Sequence, residues 1–232
     1  MFFALAVVAA VQTMPSAPTE SSNDDVVVVG SRESFKLNTR ALRAGQSAFL
    51  KNRDAFAPQA SLRFLVERRD GTKMGSTSIR LYFTDGTNRV AVPISPDNSF
   101  DLSGLPAGDW WLESNLPRRS VRIDALVRSP GSTPYDYRFG DGRLQCRVSW
   151  TMLKANVPIL AAPLVGVVEA AGPCSSRKMG LYTVTPRPIR TAEISEAGRS
   201  TSAWVGKQRR SYRLPMGDDT LGNEAKVKVT ME

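Results

Sequence analysis

Side chains able to do chemistry are few and scattered in this chain. Ser175 and Lys178 lie in "SSRK", a literal Ser-x-x-Lys in which a lysine amine would activate a serine hydroxyl. That motif works at a helix start alongside Lys-Thr-Gly and Ser-Asp-Asn tripeptides, and neither tripeptide occurs here. Asp136 with Asp141, or Asp218 with Asp219, would supply the two carboxylates of a glycoside hydrolase, although turn chemistry accounts for each of them. Histidine is absent from the sequence. Its absence removes the commonest general base, the commonest metal ligand and every Ser-His or Cys-His catalytic arrangement. Cys146 and Cys174 alone cannot complete a tetrahedral zinc site, and "GDGR" offers too few oxygens for calcium. The residues therefore predict no enzyme, no metal and no cofactor. In an oxidising compartment the two cysteines pair; in a cytosol they would be two buried thiols.

The elements that would position these groups are mostly strands. Only residues 38–57 carry a convincing helical period: Leu42, Phe49 and Phe56 recur every seven residues, with Ala41, Ala48 and Ala55 beside them. Asn38 or Thr39 caps that helix and Pro58 ends it, while Gly45 weakens it. From residue 60 the apolar period becomes two. "SLRFLVERRDG" sets Leu62, Phe64 and Val66 against Arg63, Leu65 and Glu67. "SIRLYFTDGTNRVAVPI" reads as a hairpin about Asp85-Gly86, "SFDLSGLPAGDWWLESN" as two short strands, and "VRIDALV" as another. In "GDGRLQCRVSWTM" the alternation of Leu144, Cys146, Val148 and Trp150 predicts a further strand with Cys146 facing the core. "MGLYTVTPRP", "SYRLP" and "AKVKVTME" supply the last three. The expected fold class is mainly β, an antiparallel β-sandwich with one N-terminal amphipathic helix.

Strand alternation also separates the adjacent tryptophans. Trp110 shares a face with Leu112 and is expected in the core; Trp111 shares one with Glu113. Trp111 is then either covered by the helix or left outside, where an indole can stack on a sugar or a partner.

"RVAVPISPDNSFDLSGLPAGDWWLES" is similar to the carboxypeptidase-regulatory and transthyretin-like β-sandwich domains, over about residues 75–128. In those domains a hairpin is followed by Asp-x-x-Phe-x-Leu and then Leu-Pro-x-Gly-x-Trp/Tyr-x-Leu. The resemblance implies an accessory module of exported proteins that binds partners, glycans or neighbouring domains without catalysis. The whole chain resembles an uncharacterised family of exported proteobacterial proteins, which implies a compartment and a fold but no activity.

"MFFALAVVAAVQTMPSAP" reads as a signal peptide, cut after Ala10 or Ala17, though no Lys or Arg precedes its apolar run; a buried N-terminal strand is the alternative. The expected organisation is a signal peptide over 1–17, a leader plus helix over 18–58 and a β domain over 59–232, with a possible sub-boundary near 131. "DDVVVVGSR" resembles the acidic, valine-rich segment near the N-terminus of TonB-dependent receptors, which adds a strand to a periplasmic partner's sheet. It also reads as an ordinary edge strand. No Gly-rich phosphate turn follows it, which excludes a dinucleotide fold. Pro158, Pro163, Gly166 and Glu169 interrupt the later apolar stretch, so no membrane-spanning helix is expected.

The chain carries a formal charge of +9 and a pI near 9.9. Arg118-Arg119 and the group Lys207, Arg209 and Arg210 are the basic clusters considered for partner binding, with Trp111. For an exported protein the matching polyanion is lipopolysaccharide; a solvated basic surface is the plainer reading. No basic stripe interleaved with aromatics points to nucleic acid. The leading expectation is a non-catalytic periplasmic or secreted protein that binds an envelope protein or glycan. The alternatives are an assembly protein at an anionic membrane surface and a carboxylate-only hydrolase.

Overall fold

The computed structural model describes residues 33–69, 79–158, 161–176 and 182–232. The signal peptide, the TonB-type segment over 24–32 and Lys178 of "SSRK" lie outside them. The fold is mainly β, with every strand pair antiparallel, and three helices among the described residues.

The first half holds β1 (Ser34–Asn38), α1 (Thr39–Phe56), β2 (Ser61–Arg68), β3 (Leu81–Thr84), β4 (Arg89–Val92), β5 (Ser99–Phe100), β6 (Trp111–Pro117) and β7 (Val121–Arg128). They form a sheet of order β1-β6-β3-β4 and a second of order β5-β2-β7. Of the two expected caps it is Asn38 that caps α1, its side chain accepting a hydrogen bond from the Arg40 amide at 2.8 Å. The Asp85 carboxylate closes the β3–β4 turn by accepting from the amides of Thr87 and Asn88. Phe64, Val66, Phe83, Phe100 and Leu112 project inward and, with Leu42 and Phe49 of α1, form one hydrophobic cluster. Trp110 belongs to it, its indole N–H donating to the Ala107 carbonyl at 2.9 Å; Trp111 is 44% exposed.

The second half holds β8 (Asp136–Arg138), α2 (Phe139–Asn156), α3 (Ala162–Ala170), β9 (Tyr182–Val184), β10 (Ile189–Glu196), β11 (Arg199–Ser202), β12 (Trp204–Val205), β13 (Ser211–Arg213) and β14 (Lys226–Met231). Its sheets run β11-β10-β14-β8 and β12-β13-β9. A second hydrophobic cluster, including Tyr137, Phe139, Ile189, Ile194, Tyr212 and Val227, underlies them.

The strand expected in "GDGRLQCRVSWTM" is instead the body of α2, and the count of one helix is corrected to three. The error has a physical origin. At 100° per residue, Leu144, Val148 and Met152 fall on one side of a helix while Phe139, Cys146 and Trp150 fall on the opposite side. The first set joins the first cluster and the second set joins or packs on the second. A helix buried on two opposite sides shows apolar residues at every second position, the pattern that also marks a strand. Gly45 has its reason here as well. A Cβ on it would sit 2.6 Å from Met152 Cγ, so glycine lets α1 lie close against α2. Cys146, on α2, is disulfide-bonded to Cys174 with 5.7 Å between Cα atoms.

Candidate functional site

Eight consecutive rungs join β2 to β7, from Ser61 opposite Arg128 to Arg68 opposite Val121. Directly opposed residues share a face, so Phe64, Val66, Ala125 and Val127 point into the core while Leu65, Glu67, Arg122 and Asp124 point the other way. That outer face floors a cleft of about 840 Å³. One side of α2, with Gln145, Ser149 and Leu153, lines it, as does the segment from Tyr182 to Pro186. A cleft of this volume suits a small molecule or one to a few sugar units.

Its floor is charged. Arg122 Nη2 lies 2.5 Å from Glu67 Oε2, and Arg122 Nε lies 2.7 Å from Asp124 Oδ2. Two carboxylates thus share one guanidinium. The Asp124 side chain keeps 44% of its surface accessible, within the cleft that α2 and the Tyr182–Pro186 segment also line. Burial raises its pKa to about 6; Arg122 opposes the rise and the neighbouring, hydrogen-bonded Glu67 adds to it.

Tyr182, which lines the cleft, belongs to an aromatic rung. Trp204 of β12 is opposite Arg213 of β13, which is opposite Tyr182 of β9, so the three side chains stand side by side on one face. Trp204 is 46% and Tyr182 57% exposed, and their rings meet edge to face at 5.5 Å. The Arg213 guanidinium lies 5.4 Å from the centre of the Trp204 ring and 5.8 Å from that of Tyr182. On the opposite face Tyr212 is buried, its hydroxyl 2.8 Å from that of Tyr137, which ties this small sheet to the core. A Cβ at Gly206 would lie 3.4 Å from the Trp204 ring and 2.6 Å from Ser211 Oγ, so the absence of one leaves room where the hairpin turns.

The residues singled out from the sequence are not gathered in one place. Trp111 opens β6, opposite Asn38 and Thr84, and does not line the cleft. Arg118 and Arg119 follow the far end of β6; Arg118 is paired with Glu33 at 2.8 Å. Lys207 and Arg210 are exposed in the β12–β13 turn. Arg209 of the same turn is used as a brace, with Nε donating to the Ile189 carbonyl at 2.7 Å and Nη2 to that of Arg190 at 2.8 Å. Neither early carboxylate pair meets in the cleft. Asp141 is fully buried in the first turn of α2, where it accepts from Ser129 and Ser132, whereas Asp136 is exposed on β8. Asp218 accepts from the amide and hydroxyl of Thr220. Among the described residues no three His, Cys, Asp or Glu side chains are grouped to hold a metal.

Glu67, Arg122, Asp124, Tyr182, Trp204 and Arg213 were not foreseen as a site. The signal for half of them was in the sequence, since alternation in "SLRFLVER" and "VRIDALV" sets Glu67, Arg122 and Asp124 opposite the apolar face. The rung carries no such signal, because its three residues come from three separate short strands. Comparison with family models, curated proteins and solved structures gave no match to this chain.

Proposed function

We propose that this is a non-catalytic, extracytoplasmic binding protein of the cell envelope whose partner is a glycan. One observation carries the reading: an exposed Trp-Arg-Tyr rung and a cleft with a charged floor meet at Tyr182, which belongs to both. Indole and phenol faces stack on the C–H faces of sugar rings, while paired carboxylates and guanidinium groups accept and donate to hydroxyls. Because Glu67 and Asp124 are both tied to Arg122, they present a fixed recognition surface, which favours binding over hydrolysis. The disulfide and the lack of a long apolar helix among the described residues are compatible with a periplasmic or secreted site of action. The transthyretin-like resemblance, with its sandwich architecture and accessory role, agrees with this reading and is part of the proposal. A glycan array probed with the mature protein tests it. Binding that weakens about tenfold or more in Trp204→Ala and Tyr182→Ala, with unchanged melting temperature, is the expected result. An array with no bound glycan overturns it.

A second reading, assembly at an anionic membrane surface, has its own observation. All nine residues of α3, "APLVGVVEA", are at least partly exposed, with Leu164 at 71% and Val167 at 70%. Residues 1–31 hold three of the 22 acidic and none of the 31 basic side chains, so residues 32–232 carry a formal +12, 31 minus 19. An apolar helix on a cationic body suits insertion among anionic headgroups. Co-sedimentation with anionic but not zwitterionic vesicles, lost in Leu164→Ser/Val167→Ser, would favour this reading.

A further inference from the structure

Among the described residues, the floor of the cleft sets two carboxylates against one guanidinium. Among the described residues Arg122 is the one cation bonded to both Glu67 and Asp124, through one oxygen of each. The other charged groups that line the cleft do not fill the deficit. Arg128 is held by Gln145 at 2.7 Å and lies over the Tyr137 ring at 4.3 Å, away from the pair. Asp97, from the loop before β5, adds negative charge and is itself occupied by the amide and hydroxyl of Ser99. Arg68 is exposed at the end of β2, and Tyr135 and Tyr182 bring phenol hydroxyls to the lining.

We infer that the cleft selects a glycan bearing a free amino group, with the ammonium seated against Glu67 and Asp124 while the sugar ring lies on Tyr182 and Trp204. This rests on the glycan-binding reading above and names the class of sugar. An ammonium is a compact donor of three hydrogen bonds, and two carboxylates joined by one guanidinium offer it charge and acceptors together. The aromatic rung serves the sugar ring and not the ammonium, because Arg213 already lies against the Trp204 and Tyr182 rings while their faces remain able to stack on C–H groups. Below about pH 6 a proton on Asp124, hydrogen-bonded to Glu67, supplies the missing charge. There the ammonium must displace that proton, whereas at pH 7 it meets two carboxylates. Acidification therefore returns the proton and weakens the selection.

The test compares two probes of equal length, a glucosamine trimer and an N-acetylglucosamine trimer, titrated into the mature protein at pH 7 by calorimetry. They differ in the charge that the inference requires, and the protein's net positive charge opposes any non-specific preference for the cationic one. The expected result is about tenfold or greater preference for the free amine. That preference should collapse in Asp124→Asn and in Glu67→Gln. A pH series on the unsubstituted protein keeps the inference open to refutation should either variant fold poorly, since the preference must shrink between pH 7 and pH 5. Equal affinity for the two trimers overturns the amine inference and leaves the glycan reading standing. Failure of both trimers, with other neutral glycans bound on an array, also overturns the inference alone; failure of every glycan overturns both.

Discussion

The two hydrophobic clusters are held together in different ways. The first is aromatic and continuous, with Phe35, Phe49, Phe64, Phe83, Phe100 and Trp110 buried between strands as long as eight residues and two helices. The second rests on shorter pairings and smaller side chains, among them Ala192, Ala203, Ala225, Val227 and Val229. It carries the Cys146–Cys174 bond and the Tyr137–Tyr212 hydroxyl pair. Where burial of large side chains suffices, the fold relies on it. Where the core is thin, a covalent link and a buried polar contact do part of the same task. The second region is also the one that exposes Trp204 and Tyr182, surface that a larger core would have used.

If the first region depends on its aromatic core, its largest single loss should come from Trp110. Trp110→Ala removes a buried ring and should cost about 3–5 kcal/mol in urea unfolding. Trp111→Ala, on the exposed face of the same chain segment, should cost less than about 1 kcal/mol. Equal losses would mean that Trp111 is covered too. In the second region the largest loss should come from the disulfide. The cysteines are 28 residues apart, and chain entropy for a loop of that size gives about 3.6 kcal/mol. Cys146→Ala/Cys174→Ala should therefore unfold at lower urea. Because α2 contributes to both clusters, fluorescence and circular dichroism should still report one transition. Separate transitions would show that the clusters are independent and break the comparison.

Tyr212→Phe probes the polar contact on a smaller scale. It deletes one hydroxyl and leaves that of Tyr137 buried without its partner, a loss of about 1–3 kcal/mol. The paired change Tyr137→Phe/Tyr212→Phe should recover part of that loss, since no buried donor is then left unsatisfied. No recovery would mean that the hydroxyl pair contributes nothing specific to the second region.

The same contrast governs what the sequence revealed. In the first region each element buries one side. The seven-residue spacing of Leu42, Phe49 and Phe56 gave α1, and alternation gave β2, the β3–β4 hairpin and the inward Trp110. α2 was misread because it is buried on two sides, so its even-numbered residues mimic a strand. The cysteine pair was legible from composition, but Cys146 was assigned to the wrong kind of element. The candidate site was the least legible part. Its floor comes from two strands more than fifty residues apart, and Tyr182 brings to it a rung that exists only once β9, β12 and β13 are paired.

The smallest expected effect concerns acid, and it separates the cleft from the turns. Asp124 is raised from its ordinary 3.8 to about 6, chiefly by burial, so the folded protein holds this proton more tightly than the unfolded chain. Its contribution to stability is fully present below pH 3.8 and is lost as pH rises through about 6. Three turn carboxylates run the other way. Asp85 is lowered by hydrogen bonds from the Asn88 side chain and neighbouring amides, and Asp101 by those from Ser103. Asp97 is lowered although burial pushes it up, because the hydroxyl and amide of Ser99 outweigh burial. Their contributions are present above the ordinary carboxylate pKa and disappear as pH falls through their lowered values. Stability should therefore rise slightly from pH 7 to about pH 4.5 and fall below pH 4. With 44% of the Asp124 side chain accessible, screening keeps the rise under about 1 kcal/mol. Urea midpoints measured across that range should show it, and Asp124→Asn should abolish it while leaving the acid limb in place. A midpoint that declines steadily from pH 7 would mean that Asp124 ionises as freely as a surface carboxylate, and that the cleft floor has no charge deficit for a ligand to fill.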